Sequence, residues 1–424
     1  MPTTRRLFIL LPLLAAAVFS QDLPRAEPEQ VGLSSGRLAR IETVVRDHID
    51  RKRIAGAVSL VARHGKIAHL KAFGMADIEA GGEMKEDTIF RIASMTKPIT
   101  SVAVMMLYEE GKFLLSDPVG KYIPEFQEME VLPPPTATNN YRVPANQPIT
   151  IRHLLTHTSG LTYHWNEKLG ELYWSYGITH GLVQDSSTIG EKMKILAGLP
   201  LLFHPGERYE YGLSIDVLGA LVEVWSGMTL DEFFRTRIFE PLGMNDTHFF
   251  LPEAKESRMA AVYSPGGAGI ERAPGEFSRE GGLVVSTTYP YEGPRSYYSG
   301  GGGLSSTAPD YAKFAQMILN RGELNGRRLL SPATVDLMTM DHAGQIVEDG
   351  APSFGLGFSV DSAERGFPEL TSEGTHGWGG FWYTRFFINP EEELIGIFMG
   401  QLYPSEGLQL NLKHQVLAHQ AIVE

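Results

Sequence analysis

Ile92-Ala93-Ser94-Met95-Thr96-Lys97-Pro98-Ile99-Thr100 is the stretch on which the fold turns. It follows a strand-like run at residues 88–92 and leads into an apolar helical pattern through Val102, Val104 and Leu107. On a helix, residues three apart share a face, so the Lys97 amine can reach the Ser94 hydroxyl. A serine hydroxyl is a weak nucleophile until a base activates it. A lysine serves as that base near neutral pH only when burial or positive neighbours depress its pKa. The pair therefore predicts Ser94 as nucleophile and Lys97 as a proton acceptor. An S-x-x-K spacing arises readily by chance, so its surroundings have to decide its meaning.

Those surroundings continue in a fixed order. After the helix come Gly111-Lys112, Leu115 and Asp117-Pro118-Val119, then Ile151-Arg152-His153-Leu154-Leu155-Thr156-His157-Thr158-Ser159-Gly160. Pro205-Gly206-Glu207-Arg208-Tyr209-Glu210-Tyr211 and a glycine run at residues 300–303 follow, the latter leading to Asp310. In this order the phrases resemble the serine β-lactamase-like family of class C β-lactamases, esterases and D-alanyl peptidases, over nearly all of residues 21–424. The resemblance implies metal-free, cofactor-free acyl transfer through an acyl-enzyme on Ser94. It also implies an α/β (α+β) fold of the β-lactamase/transpeptidase-like kind.

Tyr211 stands where that family opens its second motif, Y-x-N or Y-x-S. By resemblance it would share the general-base role with Lys97 and later reprotonate the leaving group. The family's third motif, Lys-Thr-Gly, is matched by Trp378-Gly379-Gly380, a variant that resembles the esterase branch. A second register would start the motif at His376. The Trp378 register is preferred because a Gly-Gly pair suits close backbone approach to substrate. The resemblance then assigns the oxyanion to the backbone N–H groups of Ser94 and Phe381.

Two departures bear on the substrate. Leu213 replaces the Asn of Y-x-N, and Trp378 replaces the cationic Lys. A β-lactam or D-alanyl peptide presents a carboxylate and a polar amide that are costly to bury without a cation or a hydrogen-bond partner. The expectation is a small-molecule acyl substrate, an ester before an amide. Rival readings are a class C-type β-lactamase, a D-alanyl carboxypeptidase or aminopeptidase, and an acyltransferase. A non-catalytic penicillin-binding sensor is the rival from another class; its hallmark would be loss of Ser94, Lys97 or Tyr211. An aromatic insertion with Tyr163, Trp165, Tyr173, Trp174 and Tyr176 is open to two readings, an acyl-pocket wall or an ordinary surface loop.

Residues 37–51 carry Leu38, Ile41, Val45 and Ile49 at helical spacing after a Ser34 or Ser35 cap. Two strand-like runs, 57–63 and 66–74, flank His64-Gly65 in a hairpin pattern. Further strand patterns lie at 354–360, 381–389 and 394–400, and a helix at about 408–421 closes the chain. These predict a five-stranded antiparallel sheet flanked by terminal helices. Its lobe spans about 30–93 and 300–424, with a mainly helical lobe at about 94–299 and a cleft between them.

Composition narrows the remaining classes. A chain of 424 residues with 43% hydrophobic residues builds a large core, and a net charge of −13 excludes an electrostatic nucleic-acid surface. The absence of cysteine removes disulfides, thiol nucleophiles and thiolate-bound metal. Arg5 and Arg6 precede an apolar run at residues 7–19, which is about 13 residues against the ~20 of a membrane span. Residues 1–20 therefore read as a cleaved export signal, with a periplasmic or extracellular mature protein and no stable membrane span.

Three decoys are set aside. Ser34 lies in Gly-Leu-Ser-Ser-Gly, a nucleophile-elbow match without a preceding strand. His153 and His157 have zinc-like spacing, but Leu154 stands where a H-E-x-x-H site needs its Glu. The glycine run at 300–303 lacks the Gly-Lys-Ser/Thr of a phosphate loop.

Overall fold

The computed structural model describes residues 22–133, 141–278, 283–346, 353–367, 369–405 and 407–424. The segment read as an export signal lies outside them. Helix α1 spans Ser35–Asp50 and buries Leu38, Ile41 and Val45, the stripe expected from the spacing. Ser34 accepts the Arg37 N–H at 3.3 Å, so its hydroxyl is used as the helix cap.

Strands β1 (Gly56–Arg63) and β2 (Lys66–Asp77) form the expected hairpin. His64 and Gly65 both take positive φ, 51° and 74°, as a type I′ turn requires. Short strand β3 (Gly82–Glu83) follows, and β4 (Phe90–Arg91) leads to the Ser94 turn. Helix α2 (Thr96–Glu109) is buried on every side from Thr96 to Leu107, which explains its apolar sequence without a polar stripe. The middle of the chain supplies helices α3 (Ile151–Leu155) and α4 (Ser214–Ser226). Strand β5 (Ser305–Ser306) pairs with β4, and α5 (Ala308–Leu319) starts behind a Thr307 cap with Pro309 in its first turn.

The C-terminal part contributes β6 (Ser353–Phe354), β7 (Ser359–Val360), β8 (His376–Gly380), β9 (Thr384–Asn389), β10 (Leu394–Met399) and helix α6 (Leu410–His419). The sheet is antiparallel with order β6-β7-β8-β9-β10-β1-β2-β3. It has eight strands, a correction to the expected five. The run 354–360 is divided by Gly357 at φ 93° into two two-residue strands. The run 381–389 starts later, because residues 381–383 form a turn with Tyr383 at φ 77°. The glycine-rich β8 and the two-residue β3 carry no alternating pattern that could announce them.

β1 is buried along its whole length because both faces of the sheet are covered. Val58, Leu60 and Ala62 join the larger core with Phe386, Ile388, Ile395 and Ile397. Ala57 and Val61 face the other way, against Leu38, Ile41 and Val45 of α1 and Leu410 of α6. Each fully buried Leu, Ile or Phe contributes about 1.5–3 kcal/mol, so these two layers hold the sheet rigid behind β8. Among the described residues no helix is long and apolar enough to cross a membrane.

Candidate active site

Ser94 sits in the 3-10 turn Ala93–Met95 between β4 and α2, and it is partly exposed while its neighbours are buried. Ala93 precedes it at φ 42°, a left-handed value that costs a non-glycine residue about 1–3 kcal/mol. The turn is riveted from several directions. Ile92 N–H donates to Leu304 O at 3.0 Å, Leu304 N–H donates to Thr96 Oγ1 at 3.1 Å, and Tyr311 Oη donates to Met95 O at 2.8 Å.

Lys97, one turn on, is 1% exposed. Its Nζ donates to Ser94 Oγ at 3.2 Å, to Tyr163 Oη at 3.0 Å and to the Gly301 carbonyl at 2.6 Å. Three acceptors match the three N–H bonds of an ammonium group. The same nitrogen lies 4.7 Å from the Tyr211 ring centre and 5.4 Å from that of Tyr163, within cation–π range. Tyr211, carried by the loop that enters α4, places its Oη 2.7 Å from Ser94 Oγ. A hydroxyl is thus approached by a phenol and an amine from opposite partners, a geometry that can move a proton off Ser94 and return it.

Strand β8 closes the site from the sheet side. A Cβ at Gly380 would fall 2.4 Å from Ile92 O and 2.1 Å from Thr384 Oγ1. The glycine therefore lets β8 touch the Ser94 segment itself, and Phe381 is the next residue along that backbone. Gly379 is more open, with Thr384 O at 3.5 Å from such a Cβ. The Phe381 side chain stacks on Tyr403 with ring centres 4.0 Å apart.

A model of the Beta-lactamase family matches residues 41–420. The chain belongs to that family. It is 35% identical over 376 residues to esterase EstB of Burkholderia gladioli, covering 86% of this chain and 90% of that one. It is 30% identical over 311 residues to a lovastatin esterase of Penicillium rubens, covering 72% and 73%. The solved structure described as EstCE1, a hydrolase with promiscuous acyltransferase activity, superposes with a TM-score of 0.79 at 29% identity, over 92% of this chain and 99% of that one. The protein is accordingly a serine hydrolase or acyltransferase of the Beta-lactamase family.

The structure seats Trp378, not His376, against the cluster. The Trp378 ring centre lies 5.5 Å from that of Tyr211 and 5.3 Å from that of Phe354. His376 packs edge-on to Phe358 and bonds Gly374 O through Nδ1 at 2.9 Å; burial pushes its pKa down to about 4. Leu213, expected to touch substrate, is wholly buried in the core at the start of α4. Its side chain is not at the surface, so its bearing on substrate is the hydrogen bonding that it lacks.

The aromatic insertion divides. Tyr163 contributes its hydroxyl to Lys97, and Trp165, half-exposed, lies 4.4 Å from the Tyr163 ring and 6.4 Å from the Tyr211 ring. Tyr173 is core, Trp174 packs on His164, and Tyr176 is exposed. Of the two histidines with zinc-like spacing, His153 accepts the Thr150 N–H as part of the α3 cap. His157 accepts the Gly212 N–H at 3.4 Å and rests its ring 4.9 Å from that of Tyr211. Burial, then the nearby Lys97, hold its pKa well below the ordinary value, so it is a neutral support for Tyr211. Among the described residues no group of three His, Cys, Asp or Glu side chains could hold a metal ion. The surface clefts at Arg91 and Tyr291 and at Phe126 and Pro144 do not include Ser94.

The sequence reading missed Tyr163 and Gly301 as partners of Lys97. Tyr163 follows His-Thr-Ser-Gly-Leu-Thr with no spacing rule that ties it to Ser94. Gly301 acts through its carbonyl, which has no sequence signature at all.

Proposed function

We propose that this protein cleaves neutral carboxylic esters through an acyl-enzyme on Ser94. The observation that carries the proposal is the convergence of Tyr211 Oη and Lys97 Nζ on Ser94 Oγ, at 2.7 and 3.2 Å. Tyr211 takes the hydroxyl proton as Ser94 Oγ bonds to the ester carbonyl carbon. It does so as a phenolate, which Lys97, held by Gly301 and Tyr163, stabilises with its positive charge before the proton arrives. The N–H groups of Ser94 and Phe381 receive the oxyanion. Collapse breaks the bond to the alkoxy oxygen, Tyr211 returns the proton to it, and the alcohol leaves. Water then enters by the same route in reverse and releases the acid.

Trp378 supports the ester reading. It stands where a lactamase presents a cation, and with Trp165 it gives Tyr211 aromatic neighbours on two sides. These favour apolar, uncharged substrate and offer no partner to a carboxylate. Comparing kcat/KM for short-chain p-nitrophenyl esters with that for nitrocefin tests this. Ester turnover should dominate by at least about a hundredfold, the scale of a lost charge-assisted contact; dominant nitrocefin turnover would overturn it.

An acceptor alcohol could replace water in the second half-reaction, and EstCE1 is described as having promiscuous acyltransferase activity. Product analysis with added alcohol reads the partition directly. Arg5, Arg6 and the apolar run at 7–19 support export of the mature chain, and N-terminal sequencing of the secreted protein, expected to begin near Gln21, tests it.

A further inference from the structure

Beneath the Ser94 cluster lies a carboxylate that the acyl-transfer scheme does not use. Asp216, in the first turn of α4 and five residues beyond Tyr211, is wholly buried. Its Oδ1 accepts from Ser299 Oγ at 2.7 Å and from Gly301 N–H at 3.3 Å, while Oδ2 has no hydrogen-bond partner among the described residues. A buried carboxylate that is incompletely hydrogen-bonded is costly to keep and calls for a nearby cation.

That cation is one residue away. Gly301 gives its N–H to Asp216 and its carbonyl to Lys97 Nζ, at 3.3 and 2.6 Å. It leaves no slack between them, since a Cβ on Gly301 would fall 2.3 Å from Asp216 Oδ2 and 3.2 Å from Tyr163 Oη. We propose that Asp216 is a positioning residue for this site, resting on the ester-cleavage reading above. As a carboxylate it fixes the glycine loop so that the Gly301 carbonyl holds Lys97 toward Ser94.

The groups around the pair are few. Lys97 from α2 and the phenols of Tyr163 and Tyr297 face Asp216, while Tyr163, Tyr211, His157 and Asp216 face Lys97. His157 is held neutral, and the buried phenols of Tyr163 and Tyr297 are pushed up, chiefly by burial. Asp216 is the carboxylate among these groups. Burial raises its pKa, opposed in order by Ser299, Lys97 and the Gly301 N–H.

The test is the pH dependence of kcat and kcat/KM for p-nitrophenyl butyrate in wild type, Asp216→Asn and Ser299→Ala. Asp216→Asn keeps the shape but replaces a carboxylate oxygen with a donor, so the Gly301 loop is held less firmly and the acid limb set by Asp216 is lost. kcat at neutral pH should fall at least about tenfold, with KM within about threefold. Ser299→Ala keeps the charge and removes a donor to it, so the carboxylate protonates more readily and the acid limb should move to higher pH. Ser299→Ala also keeps the test open should Asp216→Asn fail to fold. A folded Asp216→Asn with wild-type kcat and acid limb, or Ser299→Ala with an unmoved acid limb, would overturn the proposal. Absence of ester turnover in wild type would instead overturn the reading on which it rests.

Discussion

Tyr211 and Lys97 hold Ser94 from two sides, but they are not equivalent. Lys97 Nζ already meets three acceptors, whereas Tyr211 Oη meets the serine at the shorter distance, 2.7 Å. Tyr211→Phe removes that oxygen and leaves the ring contacts with His157 and Trp378 in place. It is expected to lower kcat by roughly 10²–10⁴, the usual share of general acid–base catalysis, with little change in KM. Steady-state ester hydrolysis measures both. Gly301→Ala is a second residue-scale prediction: its Cβ would collide with Asp216 Oδ2 at 2.3 Å and displace the carbonyl from Lys97. Loss of most ester turnover without loss of soluble protein is the expected outcome, read by activity beside circular dichroism. The spacing of Ser94 and Lys97 and the Pro-Gly lead to Tyr211 made three of these residues legible in the sequence. Asp216, Tyr163 and Gly301 come from separate segments and meet only in space, so no local pattern could name them.

At the scale of elements, β8 does two things at once: it carries Trp378 to Tyr211 and pins its own end on Ile92. Gly380→Ala tests the pin, because its Cβ would lie 2.4 Å from Ile92 O and 2.1 Å from Thr384 Oγ1. Overpacking of this kind costs typically about 1–3 kcal/mol, measurable by denaturant unfolding. The fall in kcat should exceed what partial unfolding explains, since the backbone at Phe381 moves with the strand. Element legibility followed the same physics. The α1 stripe and the β1–β2 hairpin were readable because burial imposed a period and His64-Gly65 satisfied a defined turn. Strands β3, β6 and β7 are two residues long, and β8 is Gly-rich, so neither periodicity nor propensity marks them.

The whole molecule buries several histidines as neutral rings. His69 is pushed down to about 4 by burial and then by Lys71; His414 is pushed down to about 3 by burial and then by His69 and His419. His164 and His180, beside Trp174, fall to about 4 and about 3 for the same leading reason. Because their folded values lie below 6.5, the unfolded chain binds more protons between those values and 6.5. Stability is therefore fully present above 6.5 and lost as pH falls from there toward 4, at up to about 1.4 kcal/mol per pH unit for each ring. Buried Asp310 and Asp361, raised by desolvation, act in the opposite sense and blunt the loss at the acid end. Thermal unfolding should show Tm nearly level from pH 7 to 8 and falling steadily below 6.5; a level Tm down to pH 4.5 would contradict the neutral-ring assignment.

The central claim is that Ser94, and no other group, carries the acyl chain. Intact-mass analysis after incubation with a fluorophosphonate probe, on wild type and on Ser94→Ala, reads it directly. One adduct on the wild type and none on Ser94→Ala is the predicted result. An adduct that persists on Ser94→Ala, or a wild type that takes none, would contradict it.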